Sequence, residues 1–477
     1  MSLDPPAYIL SLQNNIRARP ISWEGAVRAK TITDADLQKI KAVDKVRREQ
    51  KKQVIEKDTE SYVDLFLGSK DGPSIFQAAA KRPDIVQYML VLAGDLIEDI
   101  PSFVSALIQH SDPFKPFLPL LKPSSNPDDP IPLLTSAVLS SLLSPALLAS
   151  AKPSPAIEEA LPQLYTALST LAKSSDAGLQ DIAVQDFSAV LRTKKARELF
   201  WKQRKETLDP LIDILRAAAG AGKDTDSTIW SGTASVRTAD TGISGGVGLQ
   251  LLYHVLLVVW QLSFEGAMVG DGLQDEHDIL ILYVQLLRLS PKEKTTRLLL
   301  STLNNLLRSN EASLLPAAVL ARLPSLLQSV QSRHLSDPDL IEDLNSLIEL
   351  TDTYTQTQTT FDQYAAELRT GHLRWSPPHR NETFWHENAR RIIDDDKGAL
   401  PRKLAEIVSK PWDQDKQVLA IGCNDIAWLV KEVPEKRQWL EKLGLKGRCL
   451  ELMQDADEAV RWESLRAVGE WLRYSFD

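Results

Sequence analysis

Cysteine is almost absent from the sequence: Cys423 and Cys449 are the only two, too few for a disulfide framework and without the paired spacing of a zinc site. That usage suits a reducing compartment. No excess of positive charge is present either. The 55 Lys and Arg stand against 64 Asp and Glu, a formal net charge of −9 with a pI near 5.5, which argues against phosphate-backbone binding and so against nucleic acid as a partner. Long apolar runs are missing too. The greasiest stretch, Leu249 to Phe264, is interrupted by Gln250, His254 and Gln261 and is shorter than the ~20 apolar residues a bilayer span needs. The opening Met1-Ser-Leu-Asp-Pro-Pro6 has neither the basic start nor the apolar stretch of a secretory signal. These absences predict a cytosolic protein, in which the sequon Asn381-Glu-Thr383 carries no information. The seven histidines form no H-E-x-x-H and no close group with cysteine, so no metal is expected.

What the sequence has in abundance is helical spacing. Leu299, Leu303, Leu306 and Leu307 follow the i, i+4, i+7, i+8 pattern of one helix face, and sustained period-two alternation is hard to find. Leu249 to Phe264 is apolar nearly all round and too long for an ordinary strand, so it predicts a central helix covered on several sides. The predicted class is all-α. Asp415-Lys-Gln-Val418 and Asp457-Glu-Ala-Val460 open similar segments 42 residues apart, and at that offset Ile426 matches Val468 and Leu429 matches Trp471. Leu179, Phe187 and Val190 repeat the internal spacing upstream, followed by Phe200 where the later segment has Trp439. A period near 42 lies in the armadillo/HEAT range, where stacked helical units cover one another's apolar faces in a curved solenoid.

Three stretches interrupt the array. Proline is dense between Pro101 and Pro162, which predicts short helices with long corners. Residues 220–248 are rich in Gly, Ser, Thr and Asp and predict a long flexible loop. The third, 351–360, is rich in Thr and Gln with no apolar side chain from Thr355 until Phe361, and predicts a linker between a domain of residues 1–350 and a second of 361–477. Seven of eleven tryptophans fall after it, so the second domain is expected to be tightly packed.

Several motifs look chemical. Gly242-Ile-Ser244-Gly-Gly246 has the letters of a hydrolase nucleophile elbow, but that motif needs a strand to deliver Ser244, and the preceding residues are polar. Gly220-Ala-Gly222-Lys223-Asp224 fails two of the four fixed positions of a phosphate loop, so no ATP binding and no cofactor are expected. Asp394-Asp-Asp396-Lys-Gly398 lacks the alternate-residue ligands of a calcium loop and reads as a solvated acidic corner. Lys39 to Lys57 holds eight basic residues against three acidic ones, a solvated helix face or a contact for an acidic partner helix. Lys410-Pro-Trp412-Asp413-Gln-Asp415 is a polar corner between two apolar helices with a large aromatic at its centre. Such an aromatic is either a binding hot spot or a lid over the end of its own repeat, and Lys410, Trp412, Asp413 and Asp415 are the candidate protein-contact residues.

Two longer stretches resemble a known family. Gly371-His-Leu-Arg-Trp-Ser-Pro-Pro-His-Arg380, continuing through Phe384-Trp-His-Glu-Asn-Ala389, is similar to a G-H-L-x-W-S-P-x-H-R…F-W-x-E-N-A stretch of the H subunit of vacuolar-type proton ATPases (V-ATPases). Pro291-Lys-Glu-Lys-Thr-Thr-Arg297 resembles that family's K-E-K-x-T-R helix. The likeness runs from about Ala183 to Tyr474, with Ile21-Ser-Trp23 before it. It implies two armadillo-like helical domains without catalytic residues, in a regulatory component on the cytosolic face of vacuolar or endosomal membranes. Partners implied by the resemblance are the peripheral stalk, the membrane-anchored stator subunit and, after the sectors separate, the central rotor. It also implies a role in coupled ATP-driven proton pumping and in silencing hydrolysis by the detached catalytic sector. Without the resemblance, the residues alone reach an acidic helical adaptor or scaffold.

Overall fold

The structure, a computed structural model, describes residues 7–69, 72–122, 129–149, 154–220, 247–290, 292–357, 359–371, 373–413 and 415–473. Among these residues every regular element is a helix. The helix ends follow from local chemistry. Thr33, Ser74 and Thr359 each accept from the backbone three residues on, while Asp36, Gln77 and Asp362 reach back to the cap, three reciprocal capping boxes. The described residues of Met1–Leu215 and Gly246–Glu265 form one compact unit, and those of Arg216–Gly245 and Gly266–Asp477 a second. Of the Gly-rich stretch, residues 221–246 lie outside the described residues, and Lys223 and Ser244 with them.

In the first unit the proline-rich region makes two short helices, Pro101–Gln109 and the single turn Leu118–Leu121, but its second half departs from that expectation. Pro130–Ala149 and Pro155–Ala172 are helices of 20 and 18 residues. The cost of a proline depends on where it falls. Pro83, Pro101 and Pro155 sit in the first helical turn, whose backbone donors are unpaired in any helix. Pro145 and Pro162 are interior, and the carbonyls they leave without a donor belong to Ser141 and Glu158, both exposed to water. Pro130–Ala149 is the one described helix long and apolar enough by itself to cross a bilayer. Its valine and all of its leucines but Leu148 are instead buried against the Pro83–Asp99, Pro155–Ala172 and Ala177–Val190 helices.

The Leu249–Ser263 helix is buried on several sides, as its composition predicts: Leu252, Val255, Val258, Val259 and Leu262 are fully covered. Of its three polar interruptions Gln250 is exposed, and the other two find partners rather than water. His254 Nδ1 lies 2.6 Å from Asp181, and Gln261 donates to the Ser188 carbonyl at 2.9 Å. Leu179, Phe187, Val190 and Phe200 are all buried, with the two phenylalanine rings edge to face at 5.2 Å.

In the second unit the 42-residue spacing becomes a physical stack. The Lys416–Glu432 and Glu458–Arg473 helices pack side by side, and the matched pairs Val418 and Val460, Ile426 and Val468, and Leu429 and Trp471 are buried together. Side-chain bonds step along the chain at the same interval. Ser313 donates to Asp271 at 2.6 Å, Ser346 to Asn304 at 2.9 Å and Ser336 to Glu293 at 2.8 Å, across 42, 42 and 43 residues. The Thr/Gln-rich stretch is helical further than its composition predicts. Pro338–Thr357 is one helix, and Thr351 and Thr355 return their hydroxyls to the carbonyls four residues back at 2.8 and 2.7 Å.

Candidate protein-contact site

The Ala399–Ser409 helix ends at an extended Lys410, and Pro411 prevents its continuation. Trp412 follows with φ +48°, a left-handed conformation that a bulky side chain rarely adopts and that costs on the order of 1 kcal/mol. That backbone turns the ring back onto its own repeat. The ring is half-buried against the core of the C-terminal helices, and its indole N–H donates to the Ile407 carbonyl at 2.7 Å. Ile407 is in the last turn, where its carbonyl otherwise receives only the Lys410 amide at 3.3 Å, so the indole completes the helix cap.

The rest of the corner is tied down in the same way. Arg448 Nε donates to the Val408 carbonyl at 2.8 Å, and Lys416 Nζ to the Pro411 carbonyl at 3.1 Å. The Asp415 amide closes the turn on the Trp412 carbonyl at 3.0 Å. Lys416 also bridges to Asp455 at 3.1 Å and Asp413 at 3.7 Å. The Asp457 amide, and after it Lys416, hold the Asp455 carboxyl below its usual range. Lys410 and Asp413 are exposed, Trp412 and Asp415 half-buried, and Lys410 Nζ stands 6.0 Å from the indole centroid. All four residues singled out from the sequence thus share one braced turn, with an aromatic edge and both signs of charge at its surface.

Other motifs resolve into structure. In the acidic corner, Asp396, Lys397 and Gly398 turn the chain with φ of 41°, 55° and 83°, and a Cβ at Gly398 would meet the Trp439 ring at 2.6 Å. Among the described residues no group of three or more His, Cys, Asp and Glu could hold a metal ion. In the basic stretch, Arg48 and Lys51 pair with Asp99, Lys41 with Glu24, Lys52 with Glu56, and Lys39 donates to the Ser61 carbonyl at 3.1 Å, so more than half of its cations serve internal contacts. Cys423 and Cys449 are both free and buried.

A cluster that sequence reading missed lies under the Gly371–Arg380 stretch. His379 is fully buried, with Nδ1 2.8 Å from Asp425 and Nε2 2.9 Å from Glu367, both buried as well. Burial alone would push the imidazole down, but Asp425 and then Glu367 outweigh it and raise the value to about 10. The two acidic side chains thus favour the protonated imidazole, while burial raises the Asp425 carboxyl above its usual range. Asn424 donates to the His379 carbonyl at 2.9 Å and itself receives the Arg466 guanidinium. Around the cluster, Arg380 stacks 4.8 Å over Trp375, and Trp385 lies parallel to Trp428 at 6.4 Å. The only trace in the sequence is Asn424-Asp425 inside an otherwise apolar helix.

Two family models, both describing the V-ATPase H subunit, match residues 7–350 and 357–476. The chain is 25% identical to the V-type proton ATPase H subunit of Drosophila melanogaster, over 97% of this chain and 89% of that protein. It is 25% identical to a probable V-type proton ATPase H subunit of Oryza sativa subsp. japonica, over 94% of each. A probable V-type proton ATPase H subunit of Caenorhabditis elegans is 32% identical, over 46% of this chain and 49% of that one. Among solved structures, an engineered protein aligns with a TM-score of 0.42 at 12% identity, over 92% of this chain and 99% of that chain. A designed armadillo repeat protein aligns at 0.36 and 12%, over 66% and 98%. With family matches running from residue 7 to 476 and breaking only at 351–356, this chain belongs to the family of V-ATPase H subunits.

Proposed function

We propose that the chain is the non-catalytic regulatory H subunit of a V-type proton ATPase, needed for coupled hydrolysis and pumping and for silencing hydrolysis by the detached catalytic sector. The observation that carries this reading is the match of both family models along nearly the whole chain. The all-helical fold supports a binding role, because stacked repeats present extended surfaces to other proteins. Its partners on this reading are the peripheral stalk, the membrane-anchored stator subunit and, after separation of the sectors, the central rotor, all met on the cytosolic face of the membrane. The chain supplies no active site and binds no cofactor of its own.

Residues 1–350 and 361–477 act as two domains joined near 351–360, and Lys410, Trp412, Asp413 and Asp415 form part of the silencing contact. A rigid aromatic ringed by opposite charges suits such a contact. The test adds the purified chain to separated catalytic sectors and to pump-bearing membranes from which it has been stripped. Hydrolysis by the sectors should fall, and ATP-driven proton uptake by the membranes should return. No change in either assay would overturn the reading in favour of another adaptor role.

A further inference from the structure

The last described helix, Glu458–Arg473, buries Val460, Ala467, Val468 and Trp471 and leaves a second apolar stripe bare. Trp462 is 66% exposed, Leu465 51% and Leu472 48%. At the 100° turn of an α-helix, Glu458, Trp462, Leu465, Gly469 and Leu472 fall within about 80° of one another, so they share one face. A helix face left open to water is normally polar. This one presents an indole, two leucines and a notch: a Cβ at Gly469 would have nothing within 4 Å.

The stripe is complementary to itself. When two such helices lie antiparallel about a two-fold axis near Leu465, residues mirrored about that point come level. Trp462 then faces the Gly469 notch of the other copy, and Glu458 faces Arg473. Each pairing occurs twice by symmetry. Trp462 and Gly469 also lean to the same side of the stripe, which an antiparallel two-fold requires for them to meet. Arg473 is 61% exposed, and its bond to Glu470 at 3.3 Å leaves guanidinium donors for a second carboxylate. Leu465 meets its own copy at the axis, and Leu472 lies toward each end of the contact.

We infer that this face docks a second copy of the chain, helix against antiparallel helix. One helix pair buries less than the ~1,200 Å² of a standard interface, so the dimer is weak and forms in the micromolar range. Neither the family assignment nor the silencing role is needed for it.

Sedimentation equilibrium of the full chain from about 1 to 100 µM tests the inference. The average mass should climb from one chain toward two. Gly469→Leu fills the notch, at an exposed helical position where the fold has room, and should weaken association at least tenfold. Arg473→Glu sets like charges opposite one another and should also weaken it, and the double variant Glu458→Arg with Arg473→Glu should restore it. Equal melting temperatures across the set exclude misfolding as the cause. A monomer at every concentration overturns the inference and leaves the face to a different protein. Association indifferent to Gly469→Leu, or a double variant no better than the single one, overturns the antiparallel register.

Discussion

His379 is the residue whose loss should cost the fold most. Removing the imidazolium leaves Glu367 and Asp425 facing each other without a cation in a site that water does not reach, the kind of buried break that costs about 3–5 kcal/mol. His379→Gln should therefore lower the urea midpoint sharply. The pH dependence has a definite sign. The folded-state value of about 10 stands above the ordinary 6.5, so the contribution is complete below about pH 6.5 and is lost as pH rises toward 10. The gap between wild type and His379→Gln should narrow over that window; a gap independent of pH would mean that the ring is not a cation. Trp412→Ala separates two roles of one side chain. If the indole is a contact, silencing of the detached sector weakens and the melting temperature holds. If it is a lid over Ile407, the melting temperature falls and silencing holds. The cluster was illegible in the sequence because its members are 12 and 46 residues from His379, whereas Trp412 was conspicuous because its environment is set by immediate neighbours.

At the scale of the helix, apolar stripes were readable because burial repeats within a few residues, and Leu299, Leu303, Leu306 and Leu307 are all covered. Proline density was misleading, since composition does not say which turn a proline occupies. Glycine shows the same dependence on place, and two helical glycines make a matched test. Gly94 lies within Pro83–Asp99 with open space at its Cβ position, so Gly94→Ala should stabilise by about 0.5–1 kcal/mol. Gly270 packs directly on the Asn310 side chain, whose amide is held by the Gly266 and Leu306 carbonyls at 2.8 and 3.0 Å. Gly270→Ala displaces that amide and should destabilise by about 1–3 kcal/mol despite the better helix propensity. Paired denaturant melts decide both, and the same sign for the two variants would contradict the packing.

At the scale of the whole molecule, two divisions of the chain compete. Family models break between 350 and 357, where the sequence turns Thr/Gln-rich, while internal contacts divide the described residues at Leu215 and around Glu265. Limited proteolysis should favour the first, with early cleavage at 351–360 yielding a large and a small helical fragment. Early cleavage confined to 220–248 would favour the second. The hydrogen bonds that step across 42 or 43 residues carry a last consequence, for how such a chain can change over generations. Adding one residue inside a helix between Asp271 and Ser313 would turn every later side chain by 100° and take the serine off its acceptor. Only corners, or a whole repeat at a time, can absorb a change of length. Insertions and deletions among related chains should therefore crowd into the turns and leave the spacing within each repeat intact.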